Sequence, residues 1–229
     1  TTLFRSSCKK GCFKKIILHF KPSQAFRIQY RMNDRQIISI YNSGEHEKAF
    51  NGIVSEYSER LYWHIRRFVC SHDDANDLLQ ETFIKIWAAL PSFRGEAQLF
   101  TWIYRIATNQ VLNHLRKQRF RILVSLDSEA AFLEKKIDED PYFNGNSLQK
   151  ELHKAIQRLP QKQRIVFNLR YFDEMKYEDI SEITGTSVGA LKASYHHAYR
   201  KIKEDLEKNL LEPLNFSANN LSKSMDYEK

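Results

Sequence analysis

Apolar residues recur every three or four positions across residues 45–120, and this spacing predicts that the chain folds into packed helices. The clearest run comprises Phe50, Val54, Tyr57, Leu61, Ile65 and Phe68. An α-helix turns once in about 3.6 residues, so this run forms a single apolar face. A second helix is predicted over residues 73–90, because Asp73 and Asp74 suit a helix start and Pro91 ends it. No segment shows convincing strand alternation, so we predict an all-α fold.

Changes in composition divide the chain into two small helical domains joined by a linker. The predicted domains cover residues 45–121 and 150–209. Between them, residues 122–149 are rich in Asp and Glu and contain helix-breaking Pro, Gly and Asn, which is typical of a flexible acidic linker. Residues 210–229 are polar and form a predicted C-terminal tail.

The excess positive charge of the chain is concentrated at its N-terminus. Of the 36 Lys and Arg residues, eight lie in residues 1–33, which contain no Asp or Glu. Residues 34–229 therefore balance at 28 basic and 28 acidic residues, so nucleic-acid binding there requires local patches or a partner. We predict that residues 1–44 are a basic extension outside the core fold, and that residues 1–31 are dispensable. A nucleic-acid-binding arm and a targeting peptide are the alternatives.

Residues that could carry catalysis or bind a metal are not arranged to do so. Cys8, Cys12 and Cys70 form no disulfide framework and are typical of reduced thiols in a cytoplasm. Cys8 and Cys12 with nearby His19 are too few for a zinc site, which requires four ligands. The chain also lacks a phosphate-cradling glycine loop and a paired nucleophile and base. The sequence therefore predicts no enzyme, no metal, no cofactor and no small-molecule substrate.

The helix predicted over residues 100–120 has two different faces. Its aliphatic face comprises Ile103, Tyr104, Ala107, Val111 and Leu115. Its other face, here called the outward stripe, comprises Trp102, Arg105, Asn109, Asn113 and Arg116. Rings and guanidinium planes stack on unpaired bases, and amides bond base edges, so the outward stripe suits single-stranded DNA. The alternative is that Trp102 packs on a neighbouring helix and the stripe is ordinary surface.

Residues 176–206 have the parts of a helix-turn-helix. Gly185 can adopt the positive φ of the turn, and Ser187 can cap the second helix. The inward residues of that helix are Val188, Leu191, Tyr195, Ala198 and Ile202. Small and basic residues face outward, namely Gly189, Lys192, Ala193, His196, His197, Arg200 and Lys203. This pattern favours insertion into a major groove, and a plain helical hairpin with a solvated basic face is the alternative.

Three ordered stretches then identify a family. They read "DLLQETFIKIW", "SFRGEAQLFTWIYRIATNQVLNHLRK" and "LPQKQRIVFNLRYFDEMKYEDISEITGTSVGALK". Over about residues 45–209 the chain resembles bacterial RNA polymerase sigma factors of the extracytoplasmic-function (ECF) group. The resemblance implies region 2 at residues 45–121, which binds polymerase and melts the −10 element, and region 4 at residues 150–209, which reads the −35 element. Promoter DNA and core RNA polymerase are the implied partners.

The resemblance also assigns roles to residues. Contact with the clamp helices of the largest polymerase subunit is implied for Asp77, Gln80 and Glu81. Contact with −10 DNA is implied for Arg94, Glu96, Trp102, Arg105, Asn109, Asn113, Arg116 and Lys117, with the loop over residues 92–99 capturing a flipped base. Contact with −35 DNA is implied for Ser187, Gly189, Lys192, Ala193, His196 and Arg200, the set called here the recognition face. Region 4 is also expected to contact the flap region of polymerase.

Departures from the family leave some expectations open. Many ECF members carry Pro and an Arg-rich run where this chain has Ser187 and "KASYHHAY", so the −35 sequence stays open. The acidic linker resembles the family's connector near the RNA exit path, and a solvated tether is equally compatible. An anti-sigma factor, often membrane-anchored, is the implied regulator. The alternative functions are a free-standing helix-turn-helix regulator and a protein-interaction module that sequesters polymerase or another factor.

Overall fold

The computed structural model describes residues 32–69, 71–125, 137 and 147–225. Within these ranges every regular element is helical, which confirms the predicted all-α fold. The N-terminal block contains α1 (Asp34–Asn42), α2 (His46–Val69), α3 (His72–Ala89), a 3₁₀ turn (Leu90–Ser92) and α4 (Leu99–Ser125). The C-terminal block contains α5 (Ser147–Gln157), α6 (Gln161–Phe167), a π turn (Asn168–Phe172), α7 (Tyr177–Thr184) and α8 (Val188–Met225).

Helix α1 corrects the predicted N-terminal boundary. It begins with a capping box in which the Asn33 side chain and Gln36 satisfy each other's backbone N–H groups. Ile37 is buried in the core, and the hydroxyl of Tyr57 donates to Asp34 at 2.5 Å. The prediction that residues 1–44 lie outside the core fold is therefore wrong for α1, because burial of its apolar side fixes it on α2. Residues 1–31 lie outside the described residues.

Helices α2, α3 and α4 form the core of the N-terminal block. On α2, Tyr57, Leu61, Ile65 and Phe68 are buried, as the predicted apolar face requires. Helix α3 starts one residue before the predicted position, where the Ser71 hydroxyl accepts a hydrogen bond from the backbone of the first turn. Contacts of α3 with both α2 and α4 hold the three helices together.

The C-terminal block folds around the predicted turn. Gly185 adopts φ +66°, and Ser187 Oγ accepts from the backbone N–H of Ala190 at 3.4 Å at the start of α8. Of the predicted inward residues, Leu191, Ala198 and Ile202 are buried, and Val188 and Tyr195 are half-buried. Apolar residues of α5, α6 and α8 complete a second core cluster.

The predicted linker and tail are shorter than expected where they are described. Helix α4 continues to Ser125 and α5 begins at Ser147, so both helices extend into the predicted linker. Ile137, the only described residue between them, is helical and buried. Helix α8 extends to Met225, through most of the predicted tail. In the described parts of the chain, no helix is long and apolar enough to span a membrane.

The two blocks pack directly against each other. Helix α4 contacts α7, and α2 contacts the π turn. Leu169, Met175, Ile180 and Leu191 of the C-terminal block belong to the same continuous apolar cluster as the core of α2, α3 and α4. The arrangement brings the helix carrying the outward stripe next to the first helix of the helix-turn-helix.

Candidate nucleic-acid and polymerase interfaces

Helix α3 presents the predicted polymerase-binding residues to solvent. Asp77, Gln80 and Glu81 are exposed, while Leu78 and Ile86 on the opposite face are buried. The sequence interpretation missed the apolar continuation of this exposed face. Ile84 and Trp87 are 68% and 44% exposed, and Trp87 packs edge-on against Phe50. Ile84 lies four residues after Gln80 and Trp87 lies three residues after Ile84, and this helical spacing was the available signal. We call these five residues of α3 the docking face.

A buried amide links the docking face to α4. The side chain of Gln110 donates from Nε2 to Glu81 Oε2 at 3.4 Å and accepts a hydrogen bond from Lys85 Nζ. Gln110 is only 6% exposed. The contact therefore fixes the Glu81 carboxylate relative to the helix that carries the outward stripe.

The loop before α4 is exposed at the residues expected to meet a base. Arg94 and Glu96 both lie on the surface, on either side of Gly95, which adopts φ +74°. Phe93 is half-buried, and its ring lies 5.1 Å from that of Trp102. The loop is thus anchored through Phe93 and leaves its two charged side chains in solvent.

Helix α4 separates its two faces as predicted. Ile103, Tyr104, Ala107, Val111 and Leu115 are all buried. Asn109, Asn113, Arg116 and Lys117 are all exposed. Arg116 Nη1 donates to the Asn113 side-chain oxygen at 3.0 Å, which holds an amide and a guanidinium side by side. These four exposed side chains are accessible to a nucleic-acid strand.

Trp102 and Arg105, at the start of the outward stripe, are less accessible. Trp102 is half-buried against Phe93, so its ring has a packing role whatever else it does. Arg105 Nη2 donates to the Glu182 backbone carbonyl at 2.9 Å and to Glu182 Oε1 at 3.0 Å. Glu182 lies on α7, so the C-terminal block pairs with Arg105, one of the cations of the predicted −10 surface.

The recognition face of α8 is open along its whole length. Ser187, Gly189, Lys192, Ala193, His196 and Arg200 are all exposed. The Lys192 ammonium lies 5.8 Å from the Tyr177 ring centroid, and Arg200 forms a 3.7 Å ion pair with Glu204 on its own helix. Both contacts are at the surface, where they contribute little and leave the charges available to phosphates.

A buried carboxylate joins the two blocks. The Asp173 side chain is 4% exposed and binds His64 Nδ1 at 2.8 Å and Arg67 Nη1 at 2.9 Å, both from α2. Burial alone would raise the pKa of Asp173, but the charge of Arg67, then His64, and the hydrogen bonds from both hold that pKa below its usual value. Thr108 on α4 lies 3.2 Å from His64 Nε2, which extends the network.

Helix α5 adds a second polar contact beside this carboxylate. Gln157 Nε2 donates to the backbone carbonyl of Arg67 at 2.7 Å. His153 is buried nearby, and burial lowers its pKa to about 3, with the positive charges of Arg67 and Arg66 acting in the same direction. The sequence interpretation missed this network because His64 and Asp173 are 109 positions apart and neither lies in a local pattern.

The described residues contain no cluster of three or more His, Cys, Asp or Glu side chains able to hold a metal ion. Cys8, Cys12 and His19, the weak zinc alternative, lie outside the described residues. The surfaces that the structure describes are instead built from amides, cations, carboxylates and rings. Such groups bind strands and helices of another macromolecule.

Comparison with known proteins assigns both blocks to one family. The sequence model of Sigma-70 region 2 matches residues 53–121, and that of Sigma-70 region 4 matches residues 149–202. The RNA polymerase sigma-H factor of Pseudomonas aeruginosa is 32% identical over 190 residues, covering 76% of this chain and 94% of that protein. The ECF RNA polymerase sigma-E factor of Escherichia coli K12 is 30% identical over 186 residues, covering 77% and 96% respectively.

Solved structures agree with this assignment. The sigma factor RpoE in complex with the anti-sigma factor NepR, from Bartonella quintana, is similar with a TM-score of 0.58 at 25% identity, over 70% of this chain and 98% of that one. CnrH in complex with the cytosolic domain of CnrY has the same fold, with a TM-score of 0.57 at 23% identity, over 76% and 97%. The fold and surfaces define a two-domain transcription initiation factor. The chain belongs to the ECF group of bacterial RNA polymerase sigma factors.

Proposed function

We propose that the N-terminal block, with α1 included, is region 2 and opens the −10 element, while the C-terminal block is region 4 and reads the −35 element. The observation that carries this proposal is the exposure of Asn109, Asn113, Arg116 and Lys117 opposite the buried aliphatic face of α4. A helix anchored on one side and polar on the other can hold a strand without disturbing its own packing.

At the −10 element, the N-terminal block traps bases that have left the duplex. Stacking on a ring or guanidinium stabilises an unpaired base by about 1–3 kcal/mol, which is comparable to the cost of unstacking it. Asn109 and Asn113 supply donors and acceptors for base edges, and Arg116 and Lys117 bind phosphates. The exposed Arg94 and Glu96 in the preceding loop are positioned to contact a flipped base, and Trp102 supports that loop through Phe93.

At the −35 element, the recognition face enters the major groove. Gly189 and Ala193 are small, so the helix backbone can approach the bases closely near its N-terminus. Lys192 and Arg200 bind phosphates or guanine edges, and His196 offers a ring nitrogen to a base. Ser187 caps the helix and directs its N-terminus towards the DNA.

The docking face binds core RNA polymerase. Asp77, Gln80 and Glu81 supply polar contacts to the clamp helices of the largest subunit, and the exposed Ile84 and Trp87 add apolar area to the same face. Exposed apolar side chains grouped beside polar ones mark protein-binding surfaces. Region 4 makes a second contact, with the flap region of polymerase.

The wider role follows from the family. The relatives are sigma factors, which are not enzymes, and we infer that this chain likewise leaves RNA synthesis to polymerase and acts in the cytoplasm. One structure similar to this one holds the sigma factor RpoE in complex with the anti-sigma factor NepR, so we propose an anti-sigma factor as the regulator of this chain. The linker between the blocks is proposed to pass near the RNA exit path.

Transcription with purified components tests this function. The chain is mixed with core RNA polymerase and a promoter library, and specific transcripts are expected only when both proteins are present. A footprint without polymerase would instead support a free-standing regulator, and binding to polymerase without transcripts would support a sequestering module. Asp77→Ala with Gln80→Ala is expected to weaken binding to core polymerase while the circular dichroism spectrum stays unchanged. Asp73→Ala with Glu59→Ala, two exposed carboxylates outside the docking face, is the matched control.

A further inference from the structure

A single amide lies between two opposite charges on α3. Glu81 and Lys85 are both exposed and lie four residues apart, with the acidic residue first. This order and spacing normally favour an ion pair along the surface of a helix. In the described structure the two side chains form no such pair, and each is bonded instead to the side chain of Gln110 on α4.

Gln110 can separate the two charges because an amide both donates and accepts hydrogen bonds. Its Nε2 donates to Glu81 Oε2 at 3.4 Å, and its Oε1 accepts from the Lys85 ammonium. Gln110 is almost completely buried, so the packing of α3 on α4 holds the amide in place. A hydrocarbon side chain at this position would offer neither bond, and the Lys85 ammonium would then turn towards the Glu81 carboxylate.

The amide forms part of a groove between α3 and α4. Leu78 and Ile84 contribute the apolar lining from α3, and Glu81 and Lys85 line the same groove about 6 Å apart along the helix axis. Glu81 Oε1 accepts no hydrogen bond from the described residues. A protein surface that enters this groove therefore meets a separate anion and cation, and it can pair with both if it presents the opposite charges at that spacing.

We propose that Gln110 is a positioning residue for polymerase binding, which keeps Glu81 and Lys85 apart so that core polymerase can pair with each. The inference rests on the proposed function of the docking face, and it adds Lys85 to the residues that contact polymerase. An exposed ion pair contributes little to the stability of a chain, so preventing it costs the free protein little. Each charge that stays unpaired can instead form a contact with a complementary charge in the complex.

Equilibrium binding to core polymerase tests the proposal through a double-mutant cycle. Gln110→Met keeps the length of the side chain and should weaken binding about tenfold, because Lys85 and Glu81 then neutralise each other. Lys85→Met alone should weaken binding about threefold, through the loss of one exposed contact. In the Gln110→Met background, the same Lys85→Met change should instead tighten binding about threefold, because it leaves the Glu81 carboxylate unpaired again.

Gln118→Met is the matched control for this cycle. Gln118 is a half-buried glutamine of α4 that lines the same groove, and the structure describes no bond from it to α3. Its replacement should leave the affinity for core polymerase at the wild-type value. Weakened binding by this variant as large as that of Gln110→Met would overturn the proposal, because any glutamine of the groove would then matter equally.

The change of sign distinguishes positioning from packing. If Gln110 only supports the packing of α3 on α4, Lys85→Met will not tighten binding in the Gln110→Met background, and that result would overturn the proposal. Wild-type affinity for Gln110→Met would overturn it as well. Should circular dichroism show that Gln110→Met is unfolded, Gln110→Asn takes its place in the cycle with the same expected signs, since its shorter amide does not reach both partners.

A crystal structure of the free Gln110→Met variant separates this inference from the proposed function. Lys85 Nζ is expected within about 4 Å of the Glu81 carboxylate, and charges that stay apart would overturn the role of Gln110. A wild-type chain that does not bind core polymerase would defeat the proposed function of the docking face. The distance between Lys85 and Glu81 in the variant crystal would still decide whether Gln110 separates the two charges.

Discussion

The two helices proposed to read DNA present their outward residues in different states. On α8, the whole recognition face is exposed, and Arg200 pairs with Glu204 on the same helix. On α4, Trp102 packs on the preceding loop and Arg105 is bound by Glu182 from the other block. The proposed −35 surface is therefore available in the described arrangement, whereas the start of the proposed −10 surface is covered.

The contacts that cover α4 are unequal in strength. The Arg105–Glu182 pair is 38% and 41% exposed, and pairs of this kind contribute about 0–1 kcal/mol. The Asp173 pairs are almost fully buried, and removing one partner of a buried pair typically costs about 3–5 kcal/mol when the other charge stays buried. The buried Asp173 carboxylate therefore governs the packing of the two blocks. The exposed Arg105–Glu182 pair governs access to the Arg105 guanidinium.

The largest expected effect tests whether α4 has one structural and one functional face. Ile103 is fully buried, so Ile103→Ala should lower the free energy of unfolding by about 2–5 kcal/mol, through lost apolar burial and a cavity. Asn113→Ala on the exposed face should change it by less than about 0.5 kcal/mol. Urea denaturation of both variants measures the difference. A large loss for Asn113→Ala would mean that the outward stripe is part of the packing.

The next prediction separates the two surfaces by the step that each controls. Asn109→Ala should slow promoter opening about tenfold, because one base-edge contact is worth about 1–3 kcal/mol. Lys192→Ala should instead weaken the initial promoter complex and reduce the salt slope of binding by about one. Stopped-flow opening rates and salt-dependent affinities distinguish the two. Binding to core polymerase should match the wild type in both variants, and a normal opening rate for Asn109→Ala would contradict the assignment of the outward stripe.

Local patterns in the sequence were enough to predict most of the surfaces. The buried side of α4, and the turn at Gly185 with its Ser187 cap, follow from residue spacing and backbone preference alone. The three exposed side chains at the end of the outward stripe, Asn109, Asn113 and Arg116, were predicted by the same spacing. Their roles in binding DNA stay predictions.

The other features of the fold and of the candidate surfaces depend on tertiary contacts, which no local sequence pattern indicates. Helix α1 is only nine residues long, and a capping box alone does not show that so short a helix belongs to the core. The burial of Ile37 shows that it does. The His64–Asp173 contact spans 109 positions, so neither residue could be chosen from its neighbours. Arg105 was predicted from the same spacing as Asn109, and only the packing of the blocks shows that the two differ in accessibility.

The acid sensitivity of the packed blocks offers a third test. Burial lowers the pKa of His153 to about 3, from an ordinary value of 6.5, so the unfolded chain binds a proton first as the pH falls. Stability is therefore complete above pH 6.5 and declines between pH 6.5 and 3. Between pH 7.5 and 5.5 the loss should be about 1.4 kcal/mol. His153→Gln should show a shallower decline in urea denaturation over this range, and parallel profiles would contradict the burial of a neutral ring.

The smallest expected effect concerns the turn that carries Asp173. Glu174 adopts φ 55°, a left-handed conformation that costs a residue with a Cβ about 1–2 kcal/mol. Glycine avoids that cost but loses more backbone entropy on folding, about 0.5–1 kcal/mol, so Glu174→Gly should raise the free energy of unfolding by about 0.5–1 kcal/mol.

Glu174→Ala is the matched control for this substitution, because it removes the carboxylate but keeps the strained Cβ. If backbone conformation alone decides the outcome, the glycine variant is the more stable of the two in thermal unfolding. Equal stability of the glycine and alanine variants would mean that backbone strain at Glu174 contributes little to the energy of this turn. A stiffer or looser turn would in either case change how firmly Asp173 is held against α2. The same pair of variants therefore also shows, by scattering, whether the turn contributes to the packing of the two blocks.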